Sequence, residues 1–217
     1  MHSPARRVAS LRARRTLTAG AHASILFPAG RAPPLRNAYV ALRHGWSRAN
    51  EAGIIVSRVD DGAKPEYGLH ERGREQAAAA VAPLRTFAAG RDVSFLASDF
   101  SRTLSTAAIV AAGLGARVDA TPALRERDFG DFELGPNDAY DKVWARDAAD
   151  GDHTDFGVEA ASAVLARAAA AVRDAEAAFE GRVVVLVSHG DCLQILQTAF
   201  AGVDVRTHRS LPHLETC

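Results

Sequence analysis

Two cysteines, one methionine and two lysines are all that a chain of 217 residues carries of these types. Cys192 lies inside an apolar stretch and Cys217 at the last position, so no spacing suits a disulfide framework or a Cys-based metal site. Reduced thiols are expected. No uninterrupted run of about 18 apolar residues is present, which excludes a membrane-spanning helix. Nine prolines and seventeen glycines are too few for a collagenous or disordered chain, and there is no internal repeat. Nor is there an excess of charge, since 26 basic side chains balance 26 acidic ones. A hydrophobic content of 47% suffices for one globular core.

The balance of charge is not uniform. Residues 1–36 hold seven arginines (Arg6, Arg7, Arg12, Arg14, Arg15, Arg31 and Arg36) and no acid, leaving 19 basic against 26 acidic side chains in residues 37–217. An Arg-rich, Ser-containing, acid-free leader resembles an organellar transit peptide, chloroplast or mitochondrial, and its apolar stretches are too short for a secretory signal. The plainer reading is a disordered tail on a cytoplasmic protein. A nucleic-acid arm has little support, because neither aromatic interleaving nor a binding motif accompanies the charge. The folded domain is expected over residues 37–217.

From Ala38 to Leu42 a short apolar run of strand length is stopped by Arg43-His44-Gly45. His70 to Ala88 reads as a helix in which Pro83 is expected to kink or end it. Val93 to Ala97 is a second strand, and Ser98-Asp99 offer capping oxygens to a helix from Ser101 to Leu114. Arg117 to Ala120 reads as a short strand, Thr121 to Asn137 as a Gly- and Pro-punctuated loop, Asp138 to Ala149 and Val158 to Phe179 as helices. Val183 to Val187 is continuously apolar, as expected of a central strand covered on both faces. Leu193 to Phe200 reads as helix and Leu211 to Thr216 as a last strand. Strands alternating with helices predict a three-layer α/β/α sandwich with a mostly parallel sheet. In such sheets ligands collect beyond the carboxyl ends of the strands. That rule selects Arg43-His44-Gly45, the segment Ser98 to Arg102, and Ser188-His189-Gly190.

Arg43-His44-Gly45 with Ser47 and Asn50 resembles the signature of the histidine phosphatase superfamily, which also holds the cofactor-dependent phosphoglycerate mutases. Three later segments match in the same order: Ser98-Asp99-Phe100-Ser101-Arg102-Thr103 with Thr106-Ala107; Leu124-Arg125-Glu126 with Gly130 and Glu133; and Ser188-His189-Gly190 after a Val-rich strand. Gly53 to Ser57, Gly68-Leu69, Gly73 and Gln76-Ala77 extend the resemblance over Asn37 to Thr216. It implies a phosphoglycerate mutase-like fold. The chain departs from the family's usual pattern at Leu134, where glycine is common, and in stopping at Cys217.

The chemistry these residue types suit is phosphoryl transfer, which needs charge stabilisation, in-line alignment and a proton for the departing oxygen. Arg43 and Arg102 can give forked hydrogen bonds to phosphate oxygens, with Asn50 and His189 as further contacts. Neutral His44 can present one ring nitrogen to phosphorus while a backbone acceptor fixes the other. Glu126 is the candidate acid and base; Asp128 and Asp191 are its rivals. In another branch of the superfamily the acid is an Asp directly after the second histidine, but here Gly190 intervenes, which favours Glu126. Trp46 is a candidate wall of the pocket. His70, His153, His208 and His213 read as surface or packing residues, with no zinc spacing among them. The expected activity is hydrolysis of a small phosphomonoester without metal or cofactor, through phospho-His44. The alternatives are a mutase and a catalytically silent phospholigand-binding protein. Oligomeric state and substrate identity are not encoded in any motif.

Overall fold

The computed structural model describes residues 35–217 and, as backbone, the strand Ala9–Leu11. The transit-peptide reading of residues 1–36 falls almost entirely outside the described residues. One five-stranded sheet runs in the order β1 (Ala9–Leu11), β2 (Ala38–Arg43), β5 (Val183–Ser188), β3 (Val93–Ala97), β4 (Val118–Ala120). All pairings are parallel except β1 with β2.

Alternation of side chains along β2 and β5 builds the two flanking layers. Tyr39, Ala41, Val184 and Leu186 face a core shared with α6 (Ala161–Ala178) and α7 (Gly190–Ala201). Val40, Leu42, Val183, Val185 and Val187 face the opposite core, made with α3 (Glu71–Ala88) and α4 (Ser101–Leu114). Every residue of β5 is buried, as its unbroken apolar run requires of a strand lying between two others and two helical layers. α7 is also buried from Gly190 to Phe200.

Three elements differ from the expectation. Pro83 sits inside α3 without ending it, because Ala80, Leu84 and Ala88 on either side are held in the core. Ser98 and Asp99 do not cap α4: its N-cap is Phe100, with no side-chain cap, because Asp99 is paired with Arg125 and Ser98 Oγ faces His189. Leu211 to Thr216 forms no strand. Its carbonyls are taken by side chains instead, Leu211 O by Gln194, Pro212 O by Gln197 and Leu214 O by Arg43, so no ladder develops. The helix expected over Asp138–Ala149 is α5 (Tyr140–Asp147), preceded by a tight turn at Asn137–Ala139.

Strand register positions the site. Arg43 pairs with Ser188 and Ala97 with Val187, so β2, β5 and β3 end at one level. His44 N–H donates to Ser188 O and Ser98 N–H to Val187 O, both at 3.0 Å. The next residue of each strand therefore emerges over the same edge of the sheet.

Candidate active site

The loop after β2 runs hard against the start of α3. A Cβ on Gly45 would lie 2.3 Å from Gly73 O, and one on Gly73 would lie 2.1 Å from Trp46 O. Glycine at both positions lets backbone meet backbone. Trp46 N–H donates to Gln76 Oε1 at 2.7 Å and Gly45 N–H to Thr106 Oγ1 at 3.0 Å, so α3 and α4 both grip this loop.

His44 is buried, and its Nδ1–H donates to Gly45 O at 2.8 Å. Nε2 is therefore the ring's lone-pair nitrogen, and it accepts from Arg102 Nε at 3.1 Å. Arg102 Nη2 donates to His189 Nδ1 at 3.0 Å and to Val56 O at 2.8 Å. His189 then donates from Nε2 to Ser98 Oγ at 2.9 Å. The two imidazole centroids are 5.2 Å apart in an edge-on arrangement, and Phe100 closes the far side of His189 at 5.0 Å. Burial, and then the charge of Arg102, hold both imidazoles well below their ordinary value, so both are neutral.

Burial pulls Arg102 down to about 10, with Glu126 opposing, and it stays charged at neutral pH. Arg43, the last residue of β2, reaches His213 Nε2 and Leu214 O, each at 3.1 Å. A Cβ at residue 190 would meet the Arg43 guanidinium at 3.3 Å, so Gly190 leaves that group its place. Arg43 Nε and Arg102 Nη1 are buried N–H donors with no partner among the described residues. A buried charged donor left unpaired is costly, and an anion seated between the two guanidinium groups would satisfy both.

Glu126 is buried beside them. Its Oε1 accepts the backbone N–H of Arg127 at 3.0 Å and that of Cys192, in the first turn of α7, at 3.1 Å; Oε2 accepts neither. Burial, then the charge of Asp191, raise its proton affinity against the two N–H groups and Arg102. A cleft of about 620 Å³ lined by Ser57, Arg58, Arg125, Asp128 and Arg167, among others, also reaches Glu126, though neither imidazole lines it.

The structure thus brings His44, Arg43, Arg102, Glu126 and His189 to one edge of the sheet. Asn50 is occupied differently: its Oδ1 accepts from Ser47 N–H and Ser47 Oγ in a capping box on α1 (Arg48–Ala52). The ring of Trp46 lies under Arg72 at 4.6 Å. Asp128 is half-exposed and paired with Arg58 at 3.2 Å. Glu133 fastens the loop before α2 (Val59–Gly62) by accepting from Ser57 N–H and Arg58 N–H. Leu134, the residue where glycine is common, has φ of 59°, the left-handed region that glycine occupies without strain.

A group that sequence reasoning had not assembled lies behind Glu126. Arg127 is fully buried and donates to both oxygens of Asp147, at 2.6 and 2.8 Å, and from Nε to Glu159 O at 2.7 Å. His153 Nε2 donates to Asp147 at 2.8 Å. His208 Nε2 faces both carboxylates, 3.7 Å from Asp147 and 3.6 Å from Asp191. His153 and His208 are thus core residues of a charged cluster, which no spacing along the chain announced.

Neutral, buried His44 and His189 make stability depend on pH. Below about pH 6.5 the unfolded chain takes up protons that the folded rings refuse, so stability is full above that value and falls as pH drops through it. Thermal melts from about pH 7.5 down to about pH 5.5 should show a falling Tm. A flat Tm over this range would mean that the rings protonate freely in the folded state.

Comparison with known proteins adds the family. The model of the histidine phosphatase superfamily (branch 1) matches residues 39–217. The protein named Probable phosphoglycerate mutase GpmB from Enterobacter sp. (strain 638) is 30% identical over 183 residues, covering 81% of this chain and 80% of that one. Mycobacterial glucosyl-3-phosphoglycerate phosphatase, solved with inorganic phosphate, superposes with a TM-score of 0.64 at 27% identity, over 81% of this chain and 84% of that one. Bacillus stearothermophilus YhfR superposes with a TM-score of 0.64 at 25% identity, over 80% and 84% respectively.

Proposed function

The chain belongs to the histidine phosphatase superfamily, whose relatives include phosphatases and a phosphoglycerate mutase, and from that premise we propose that it hydrolyses a small phosphorylated metabolite through a phosphohistidine on His44. The observation that carries this reading is the pair of buried N–H donors, Arg43 Nε and Arg102 Nη1, that have no partner among the described residues, beside a neutral His44 whose Nε2 is the free base. The Nε2 lone pair attacks phosphorus, the P–O ester bond breaks toward the alkoxide, and Glu126 supplies its proton. In the second half water attacks phosphorus, Glu126 takes the water proton, and the P–N electrons return to His44. Arg43, Arg102 and His189 hold the anion throughout. Asn50, whose oxygen is committed to Ser47, has only its amide nitrogen left to donate.

Glu126 fits the acid role better than its rivals. Asp191 is an anion: burial would raise it, but His208 and Arg127 outweigh that and bring it to about 2. Asp128 already accepts from Arg58 and from Gly130 N–H.

A mutase reading is favoured by the Enterobacter relative. It requires water to be kept out, whereas the span between Leu134 and Val158 holds only two short turns and α5. Incubation with p-nitrophenyl phosphate, and with 3-phosphoglycerate plus 2,3-bisphosphoglycerate, separates the readings. Phosphate release supports hydrolysis, isomerisation without release supports the mutase, and neither supports a binding protein. Glu126→Gln is expected to lower kcat/KM for an alkyl monoester by about 10²- to 10⁴-fold. It should cost p-nitrophenyl phosphate less, because nitrophenolate leaves without a proton. Equal losses on both esters would move the acid elsewhere.

A further inference from the structure

Asp191 lies two positions into α7, one residue before the backbone N–H that holds Glu126. We propose that Asp191 is a positioning residue for Glu126: it adjoins the Cys192 N–H that holds the Glu126 carboxylate and faces the guanidinium of Arg127, whose backbone N–H holds that carboxylate too, so two buried carboxylates share one frame; this rests on the phosphatase reading above.

The geometry is that of a charge held still. Asp191 Oδ1 accepts from Trp144 Nε1 at 2.9 Å and Oδ2 faces Arg127 Nη1 at 3.4 Å. Trp144 is itself fixed, stacked on Tyr140 at 5.3 Å and covered by the Arg209 guanidinium at 3.6 Å. Arg127 in turn is anchored by Asp147, so the cluster is held in place. A carboxylate with two fixed donors and no access to bulk keeps its charge and repels a second one nearby.

The other groups facing Glu126 set what Asp191 must outweigh. They are Arg102 from α4, Arg167 from α6 with Nη2 on Glu126 O at 3.1 Å, the Tyr140 phenol from α5, and the Cys192 thiol from α7. Arg127 contributes its backbone N–H from the same segment. Around Asp191 stand Arg127, Asp147, His208, Arg209 and Trp144. Two cations and two N–H groups favour an ionised Glu126; burial and Asp191 oppose them. Removing Asp191 leaves the cations without that opposing charge, and Glu126 would lose its proton at lower pH.

The test is kcat/KM against pH for β-glycerol phosphate and for p-nitrophenyl phosphate, in the wild type, Asp191→Asn and Asp191→Glu. Asn keeps the size and an oxygen for Trp144; Glu keeps the charge. With the alkyl ester, Asp191→Asn should move the alkaline limb about one pH unit toward acid. Asp191→Glu should bring it back, and the p-nitrophenyl phosphate profile should keep its shape in all three. If the Asn protein does not fold, Asp191→Ser takes its place with the same expected shift. An unmoved limb, or an equal loss on both esters without a shift, overturns the inference while leaving the phosphatase reading intact. A wild type that releases phosphate from neither ester overturns the functional reading first, before any variant is compared.

Discussion

His44→Ala is expected to lower phosphate release from p-nitrophenyl phosphate by a factor on the order of 10⁶, as removal of a covalent nucleophile does elsewhere. The reason lies in how the ring is held. Nδ1–H is committed to Gly45 O, which leaves Nε2 with the lone pair that accepts from Arg102 Nε at 3.1 Å. His189 is no substitute: it is buried 5.2 Å away with Nδ1 accepting from Arg102 and Nε2 donating to Ser98. Rapid quenching with radiolabelled substrate should trap an acid-labile, base-stable phosphoryl group on the peptide containing His44. His189→Ala should keep a detectable share of that label, because His189 supports the anion rather than bonding to phosphorus. Full labelling of His44→Ala would place the phosphoryl group on another residue and sink His44 as the nucleophile, and circular dichroism would exclude loss of fold as the cause of inactivity.

Asp147→Ala should cost about 3–5 kcal/mol of stability, the usual consequence of stranding a buried charge. Arg127 and Asp147 are both fully buried, joined by two hydrogen bonds of 2.6 and 2.8 Å. After the substitution the guanidinium keeps only Glu159 O and a 3.4 Å approach to Asp191. Against a total stability of about 5–15 kcal/mol for an ordinary domain, the urea midpoint would fall far or folding would fail. Replacing both partners, Arg127→Met with Asp147→Leu, should recover only part of the loss, since it removes the stranded guanidinium but also takes the Arg127 contact from buried Asp191. A stability loss of less than about 1 kcal/mol in Asp147→Ala would mean that water reaches Arg127.

The core strands were legible because a strand buried on both faces has no choice but to be apolar throughout, and Val183 to Val187 is. The ends of elements were less so. Pro83 reads as a helix breaker, yet packing of Leu84 and Ala88 outweighs the one hydrogen bond it forgoes. Leu211 to Thr216 has strand-like composition but meets side chains where a ladder would need a neighbouring strand. Asn50 sits in a signature segment, and its oxygen is spent on a local cap. Local rules account for that oxygen; they do not say where the amide nitrogen points.

Along the chain, then, residue order alone carried the alternation of strand and helix, the family's four segments, and the kinds of group the chemistry employs. These are local properties, set by periodicity and side-chain type. What awaited folding was partnership. His44, Arg102 and His189 share hydrogen bonds across 58 and 87 residues, and Arg127 meets Asp147 and Asp191 across 20 and 64. The charge state of Glu126, a loop residue, depends on burial and on a carboxylate in α7. Proton affinity and ion pairing depend on distance and dielectric in three dimensions, and neither quantity is defined until the sheet register brings the strand ends level.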